Sequence, residues 1–330
     1  MTLLIGAANS SYAFLASDRR LSWNGQLVDD EANKATILAT RDARVAMAFT
    51  GLAKCEGFLA EDWLLEVLYE GSKQTNEILP LLDFLAARAN QDIPNLTVVE
   101  PQHRRLAILI VGFTYWTENP EPAGWLLTNL PSDMAGCGFS RFSLGKSGSE
   151  NSPVLVRFAG STGSISDRDN TVLRAMLSNR RSREAIEGKL ADMLCVASKH
   201  PRSQGSVGAQ GNICLIPATP NENMQSTYYA SASSWQVFGA NSVFAVTGKG
   251  AMLVAAGTLL VGNFFPPPNI PQVKPNRPCP CGSGVKYKRC HQGLKYGYLP
   301  LTAMIELQKG ILPSGHRFAV NSRGTASRPG

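Results

Sequence analysis

Thr2-Leu3-Leu4-Ile5-Gly6-Ala7-Ala8-Asn9-Ser10-Ser11-Tyr12-Ala13-Phe14-Leu15-Ala16-Ser17-Asp18 sets two β-rich apolar runs, residues 3–5 and 12–16, on either side of a polar turn. The pattern repeats at once, with residues 34–39 and 44–50 flanking the polar Thr40-Arg41-Asp42. Two successive hairpins are therefore expected at the start of the chain. Helical spacing takes over at residues 55–69, where Phe58, Leu59, Trp63, Leu64, Leu65, Val67 and Leu68 recur, and again at residues 81–89. Strands return at residues 106–116, 125–130 and 154–158, the first two separated by the turn Asn119-Pro120-Glu121-Pro122. Residues 169–198 read as one long helical stretch, with Val172, Leu173, Met176, Leu177, Ile186, Leu190, Met193 and Leu194 at its apolar positions. Strands at 212–216 and 226–230 close the body. This order suits helices layered on both faces of packed antiparallel sheets.

With 330 residues the chain has room for one large domain and a small appendage. Its net charge of +7 is unevenly placed. From Pro271 onward ten Lys/Arg face Glu306 alone, a net +9, while the 22 basic and 24 acidic residues before it leave −2. The body is close to neutral, and the tail is suited to nucleic acid, anionic lipid or an acidic protein surface, or to plain solvation. Pro266-Pro267-Pro268, Pro271, Pro275 and Pro278 forbid regular hydrogen-bonded structure and favour an extended spacer. The expected organisation is a body over residues 1–265, a linker over 266–278, a compact segment over 279–295 and a basic tail over 296–330.

Seven cysteines are too few for a disulfide scaffold, which points to a reducing compartment, the cytoplasm. The N-terminus lacks a basic n-region and turns polar at Asn9, too soon for a signal peptide. The most apolar run, residues 251–265, is too short for a membrane span and is broken by Gly257 and Gly262, so it reads as buried strand or turn. His103, His200 and His316 have no partner at ligand or triad spacing and read as surface residues. Cys55, Cys137, Cys195 and Cys214 read as small core residues. No phosphate-binding glycine loop is present.

Cys279-Pro280-Cys281-Gly282-Ser283-Gly284-Val285-Lys286-Tyr287-Lys288-Arg289-Cys290-His291 offers three thiolates and one imidazole, the closed four-ligand set of a structural zinc. Cys279 and Cys281 form one arm, Gly282 and Gly284 permit a tight turn, and Cys290 and His291 form the other arm. The metal would supply folding free energy that so small a segment cannot draw from a core. The segment resembles the SEC-C motif, with Val285 in place of the usual basic residue. The resemblance implies one zinc ion and a recruiting role, towards a chaperone or the ribosome.

Thr2 follows an initiator Met that is expected to be removed before a small second residue. Its hydroxyl would then lie beside a free α-amino group, one of the recognised ways to activate a weak nucleophile. An α-amine titrating at roughly 7.7–8 can accept that proton near neutral pH. Ser17-Asp18-Arg19 ends the second expected strand, Asn33-Lys34 opens the third, and Ala48-Phe49-Thr50-Gly51 ends the fourth. On these residues the first 240 positions resemble the proteasome β-subunit family of N-terminal-nucleophile hydrolases, in which the Asp and Lys stand sixteen and thirty-two positions after the nucleophile, as Asp18 and Lys34 do here.

The resemblance implies an α+β fold, a four-layer αββα sandwich, with the zinc-stabilised module as an addition. It gives Lys34 the task of lowering the pKa of the Thr2 hydroxyl and amine, Asp18 that of holding Lys34, and the Gly51 N–H that of an oxyanion donor. Gly160-Ser161-Thr162-Gly163-Ser164 is similar to the family's Gly-Ser-Gly turn, so Ser161 would support the α-amine. Gly205-Ser206-Val207-Gly208 is similar to a later Asp-x-x-Ser-Gly-Gly element and supplies Ser206, with Ser203 standing where the family has Asp. The function so implied is cleavage of peptide or other amide bonds through an acyl-enzyme on Thr2. Its partners would be an amide substrate, a protein bound through the tail, and further copies of the chain. The alternative is a catalytically silent scaffold whose zinc-binding basic tail meets a protein, the ribosome or nucleic acid.

Overall fold

The computed structural model describes residues 2–229, apart from interruptions at 24–25, 31, 33, 41, 76, 97–98, 101–102, 118, 130–137, 148–152, 220–221 and 223, and then 243–247, 250–255, 258–262, 274–277, 286–290, 319–320 and 326–327. Six strands come first: β1 (Leu3–Ala8), β2 (Tyr12–Asp18), β3 (Leu21–Trp23), β4 (Gln26–Asp29), β5 (Ala35–Ala39) and β6 (Ala43–Gly51). Two short strands, β7 (Lys54–Cys55) and β8 (Phe58–Leu59), precede α1 (Ala60–Ser72) and α2 (Ile78–Asp92). Next come β9 (Leu106–Thr114), β10 (Glu121–Thr128), β11 (Ser140–Ser143), β12 (Leu155–Gly160), α3 (Asp167–Ser178) and α4 (Arg183–Lys199). They are followed by β13 (Gly211–Pro217), β14 (Gln225–Tyr229), β15 (Val243–Thr247), β16 (Gly250–Ala255), β17 (Thr258–Gly262) and the single-turn α5 (Tyr287–Cys290).

Both opening hairpins form as expected: β1 pairs with β2, Leu4 opposite Ser17, and β5 pairs with β6, Ala35 opposite Ala48. They enter different sheets. One has the order β12-β1-β2-β13-β14, and the other β11-β10-β9-β6-β5-β17-β16-β15. All neighbours in both are antiparallel except β17, which lies parallel to β5. The apolar run 251–265 thus supplies β17 and most of β16.

Strand alternation builds three cores and so four layers. On β6, Ala46 and Ala48 face the other sheet, where they meet Leu4, Leu15, Leu155, Cys214 and Ile216. Val45, Met47 and Phe49 point the opposite way, into Trp63, Leu64, Val67 and Leu68 of α1 and Leu81, Leu82 and Leu85 of α2. On the far side Leu3, Ile5, Phe14, Ala16, Ile213 and Leu215 pack under Leu173 and Leu177 of α3 and Ile186, Leu190, Met193 and Leu194 of α4. Strands sandwiched in this way are apolar on both faces, which is why Leu-Leu-Ile-Gly-Ala-Ala and Leu-Ala-Ile-Leu-Ile-Val-Gly-Phe read as continuous runs.

Phe14 is fully buried in the α3–α4 core. Phe14→Ala should cost about 3–5 kcal/mol, seen as a lower urea midpoint at an unchanged slope. A loss below about 1 kcal/mol would show that this helix layer does not rest on β2.

The expected single helix over 169–198 is two helices. Arg180, between them, adopts a left-handed conformation (φ 48°), which an α-helix does not accommodate. Each helix then has its own serine cap: the Asp169 N–H donates to Ser166 Oγ at 3.1 Å, and the Ala185 N–H to Ser182 Oγ at 3.3 Å. Residues 178–185 hold no apolar residue larger than Ala, and the step of nine residues from Leu177 to Ile186 is about two and a half helical turns, so the apolar face shifts at the break while both helices still cover one core. Cys195 and Cys214 are buried as expected, Cys55 is partly buried, and Cys137 lies outside the described residues. His200 accepts a hydrogen bond from the Arg202 N–H, and His316 lies outside the described residues. No described helix is long and apolar enough to cross a membrane.

Candidate active site

Strand register brings four chain segments to one end of the sandwich. Thr2 precedes β1, whose Leu3 lies opposite Gly160 at the end of β12, and Asp18 ends β2 opposite Gly211. Lys34 precedes β5 and holds β6 through its carbonyl, which accepts from the Phe49 N–H at 3.2 Å. Thr50 and Gly51 end β6. Asp18 thus comes from one sheet and Lys34 from the other, and their side chains cross the gap to meet.

The Lys34 ammonium has three hydrogens and three acceptors. Its Nζ lies 2.6 Å from Thr2 Oγ1 and 3.3 Å from Asp18 Oδ2, and it also donates to the Arg20 carbonyl. Asp18 is equally well supplied. Its Oδ1 accepts from the Leu3 N–H at 2.8 Å, and its Oδ2 from the Arg20 N–H at 3.0 Å and the Gly208 N–H at 3.1 Å. Both side chains of the ion pair are fully buried. Desolvating two such charges is tolerable only when the remaining lone pairs and protons are satisfied, as they are here. Burial pushes the Lys34 pKa below its ordinary value, and the Asp18 carboxylate works against that shift.

Thr2 itself is held at both backbone ends. Its N donates to Thr50 Oγ1 at 3.2 Å; its carbonyl accepts from Thr50 Oγ1 at 3.2 Å and from the Ser161 N–H at 2.9 Å. Gly160 has φ +82°, and a Cβ there would fall 1.8 Å from the Thr2 oxygen, so any side chain would displace Thr2. Gly51 has φ +103°, and a Cβ there would fall 2.1 Å from the Arg105 oxygen.

The structure therefore gathers Thr2, Asp18 and Lys34 by direct contact and ties Ser161 to them through its backbone. Ser206 joins through Ser161, the two hydroxyl oxygens 3.1 Å apart, and donates to the Ser203 carbonyl at 2.5 Å. Ser203 is buried, with its hydroxyl given to the His200 carbonyl at 2.7 Å. Gly51 stands next to Thr50, exposed at the end of an otherwise buried strand. Sequence reasoning overlooked Thr50, the Arg20 carbonyl and the Gly208 N–H. Thr50 lay inside a quoted motif, but a hydroxyl's partner cannot be read from spacing, and backbone acceptors leave no trace in residue type.

Cys279, Cys281 and His291 lie outside the described residues, as does the side chain of Cys290. Residues 274–277, just before the segment, and the backbone of 286–290, within it, are described. The Lys288 N–H donates to the Pro275 carbonyl at 2.9 Å, joining the turn at 274–277 to the turn of helix that ends at Cys290. Among the described residues no group of His, Cys, Asp and Glu could hold a metal ion.

The SEC-C motif family matches residues 276–296. Among curated proteins none matches the chain in sequence. Among solved structures the chain is similar to Anbu (ancestral beta-subunit) from Yersinia bercovieri, at 12% identity and a TM-score of 0.43, over 65% of this chain and 82% of that one.

Proposed function

We propose that Thr2, freed of Met1, is the nucleophile of an N-terminal-threonine hydrolase that cleaves peptide or other amide bonds, within a body of residues 1–265. The observation that carries this reading is the Lys34 Nζ 2.6 Å from Thr2 Oγ1, held there by a fully buried carboxylate. An ammonium so placed stabilises an alkoxide on Thr2 as one forms. In the first half-reaction the α-amine takes the hydroxyl proton and Oγ1 bonds to the substrate carbonyl carbon. The oxyanion that results faces the Gly51 N–H. Its collapse breaks the C–N bond, and the leaving amine carries away the proton from the α-ammonium. Water then attacks the ester, with the α-amine again as base, returning Thr2 and a carboxylic acid.

One observation favours the silent-scaffold reading: Ser203, where the resemblance calls for Asp, cannot carry a charge. Two measurements separate the readings. Intact mass should show Met1 absent, and a Thr-directed acylating agent such as a peptide β-lactone should modify Thr2, with no adduct in Thr2→Ala. Retention of Met1 places the proposed base in a peptide bond and ends the enzyme reading; equal labelling of Thr2→Ala ends it as well.

The tail completes the proposal. Cys279, Cys281, Cys290 and His291 fit a structural zinc by donor chemistry, and the Lys288–Pro275 hydrogen bond closes the stretch that carries Cys279 and Cys281 two residues short of Cys290. When bound, the ion supplies the cross-link on which the module folds. We assign the module to recruitment of a protein partner, separate from hydrolysis.

A further inference from the structure

Arg20 touches three parts of the site's surroundings at once. Its backbone N–H donates to Asp18, and its carbonyl takes one of the Lys34 hydrogens. Its guanidinium is bidentate to Asp30, with Nε 2.6 Å from Oδ1 and the second nitrogen 3.0 Å from Oδ2, while the third nitrogen reaches the Gly205 carbonyl at 3.2 Å. Asp30 directly follows β4, so the pair closes the stem of the β3–β4 hairpin, which links Asp18 to Lys34 along the chain. Gly208 packs on the same spot. A Cβ there would fall 2.8 Å from Arg20 Cβ and 3.5 Å from Asp30 Oδ1, and the Gly208 N–H donates to Asp18.

A bidentate pair fixes the plane of the guanidinium as well as its position. The two side chains are 25% and 33% exposed, so their mutual attraction is partly screened and adds little to stability. Placement is what the pair supplies. The Arg20 carbonyl is one of the three acceptors of Lys34, and a carbonyl is only as well positioned as the residue that bears it.

We propose that Arg20 and Asp30 are positioning residues for Lys34. They clamp the hairpin stem against the 205–208 loop, so that the Arg20 carbonyl and N–H stay aimed at Lys34 and Asp18. The consequence for catalysis rests on the reading of Thr2 as nucleophile; the clamp itself does not.

The test uses the full chain with Arg20→Gln, Asp30→Asn and Asp30→Glu, and two readouts. One is the Lys34 titration, followed by its 13Cε chemical shift; the other is the rate of Thr2 acylation by the β-lactone. Loss of the Arg20 charge alone would move the Lys34 titration to higher pH, because a repelling cation has gone. Loss of a placed acceptor moves it to lower pH, and this is the expected result for Arg20→Gln, together with acylation at least tenfold slower. Asp30→Asn should show the same slowing, and Asp30→Glu should restore most of it. An upward or absent shift in Arg20→Gln, or acylation within twofold of wild type in Asp30→Asn, overturns the clamp. If wild type is not acylated at all, the nucleophile reading fails, and the direction of the Lys34 shift still decides the clamp.

Discussion

Lys34→Ala should slow acylation of Thr2 by roughly 10²–10⁴-fold, the range spanned by loss of a positioned proton-transfer or oxyanion-stabilising group. The ammonium is the only cation in contact with Thr2 Oγ1 among the described residues, and the hydroxyl accepts its hydrogen at 2.6 Å. Without it the hydroxyl ionises in a buried pocket beside a carboxylate. The fold should survive the change. Asp18 keeps its three backbone N–H donors, from Leu3, Arg20 and Gly208, so its charge is not left bare. Circular dichroism and the urea midpoint check that the variant is folded, and mass spectrometry measures the adduct at Thr2. Equal labelling of Lys34→Ala and wild type would remove Lys34 from the mechanism.

The pH profile gives the sign. The α-amine must be neutral to take the proton, so the rate rises through its titration. Lys34 must be charged, so the rate falls as pH rises through the Lys34 pKa, which burial holds below the ordinary 10.5. Lys34→Ala should lose the alkaline limb together with the rate.

The opening strands were legible because each is buried on both faces, so residues 3–8 and 43–49 carry the signal of strands at every position. Asp18 and Lys34 were singled out by the resemblance, through their separations of sixteen and thirty-two positions from Thr2, and both stand at strand ends, where regular hairpins keep such separations in register. What escaped was decided by single backbone angles or polar contacts. The break at Arg180 falls in the polar stretch 178–185, which a reading by apolar positions passes over, and the β3–β4 hairpin is too short to show a period at all. The role of Arg20 lies in its carbonyl, which every residue has.

The purified chain should carry one zinc per molecule on Cys279, Cys281, Cys290 and His291, and losing it should unfold the module while sparing the body. Three thiolates and an imidazole bind zinc with an apparent free energy of about 10–16 kcal/mol near neutral pH, and in so short a segment that is also the folding free energy. Chelation should therefore release the Lys288 amide, bonded to the Pro275 carbonyl at 2.9 Å, from protection against hydrogen exchange. Among the described residues the body's three cores are built from residues 3–229, all ahead of the zinc segment, so its thermal transition should stay nearly unchanged. Cys281→Ser and Cys290→Ser should reproduce both effects, since a serine hydroxyl does not readily ionise to replace a thiolate. Acylation of Thr2 should persist in both, because a closed four-ligand site leaves no position for a catalytic water. Elemental analysis finding no zinc in reduced, freshly purified protein would sink the metal assignment, and loss of acylation in Cys281→Ser would contradict the separation of tail from site.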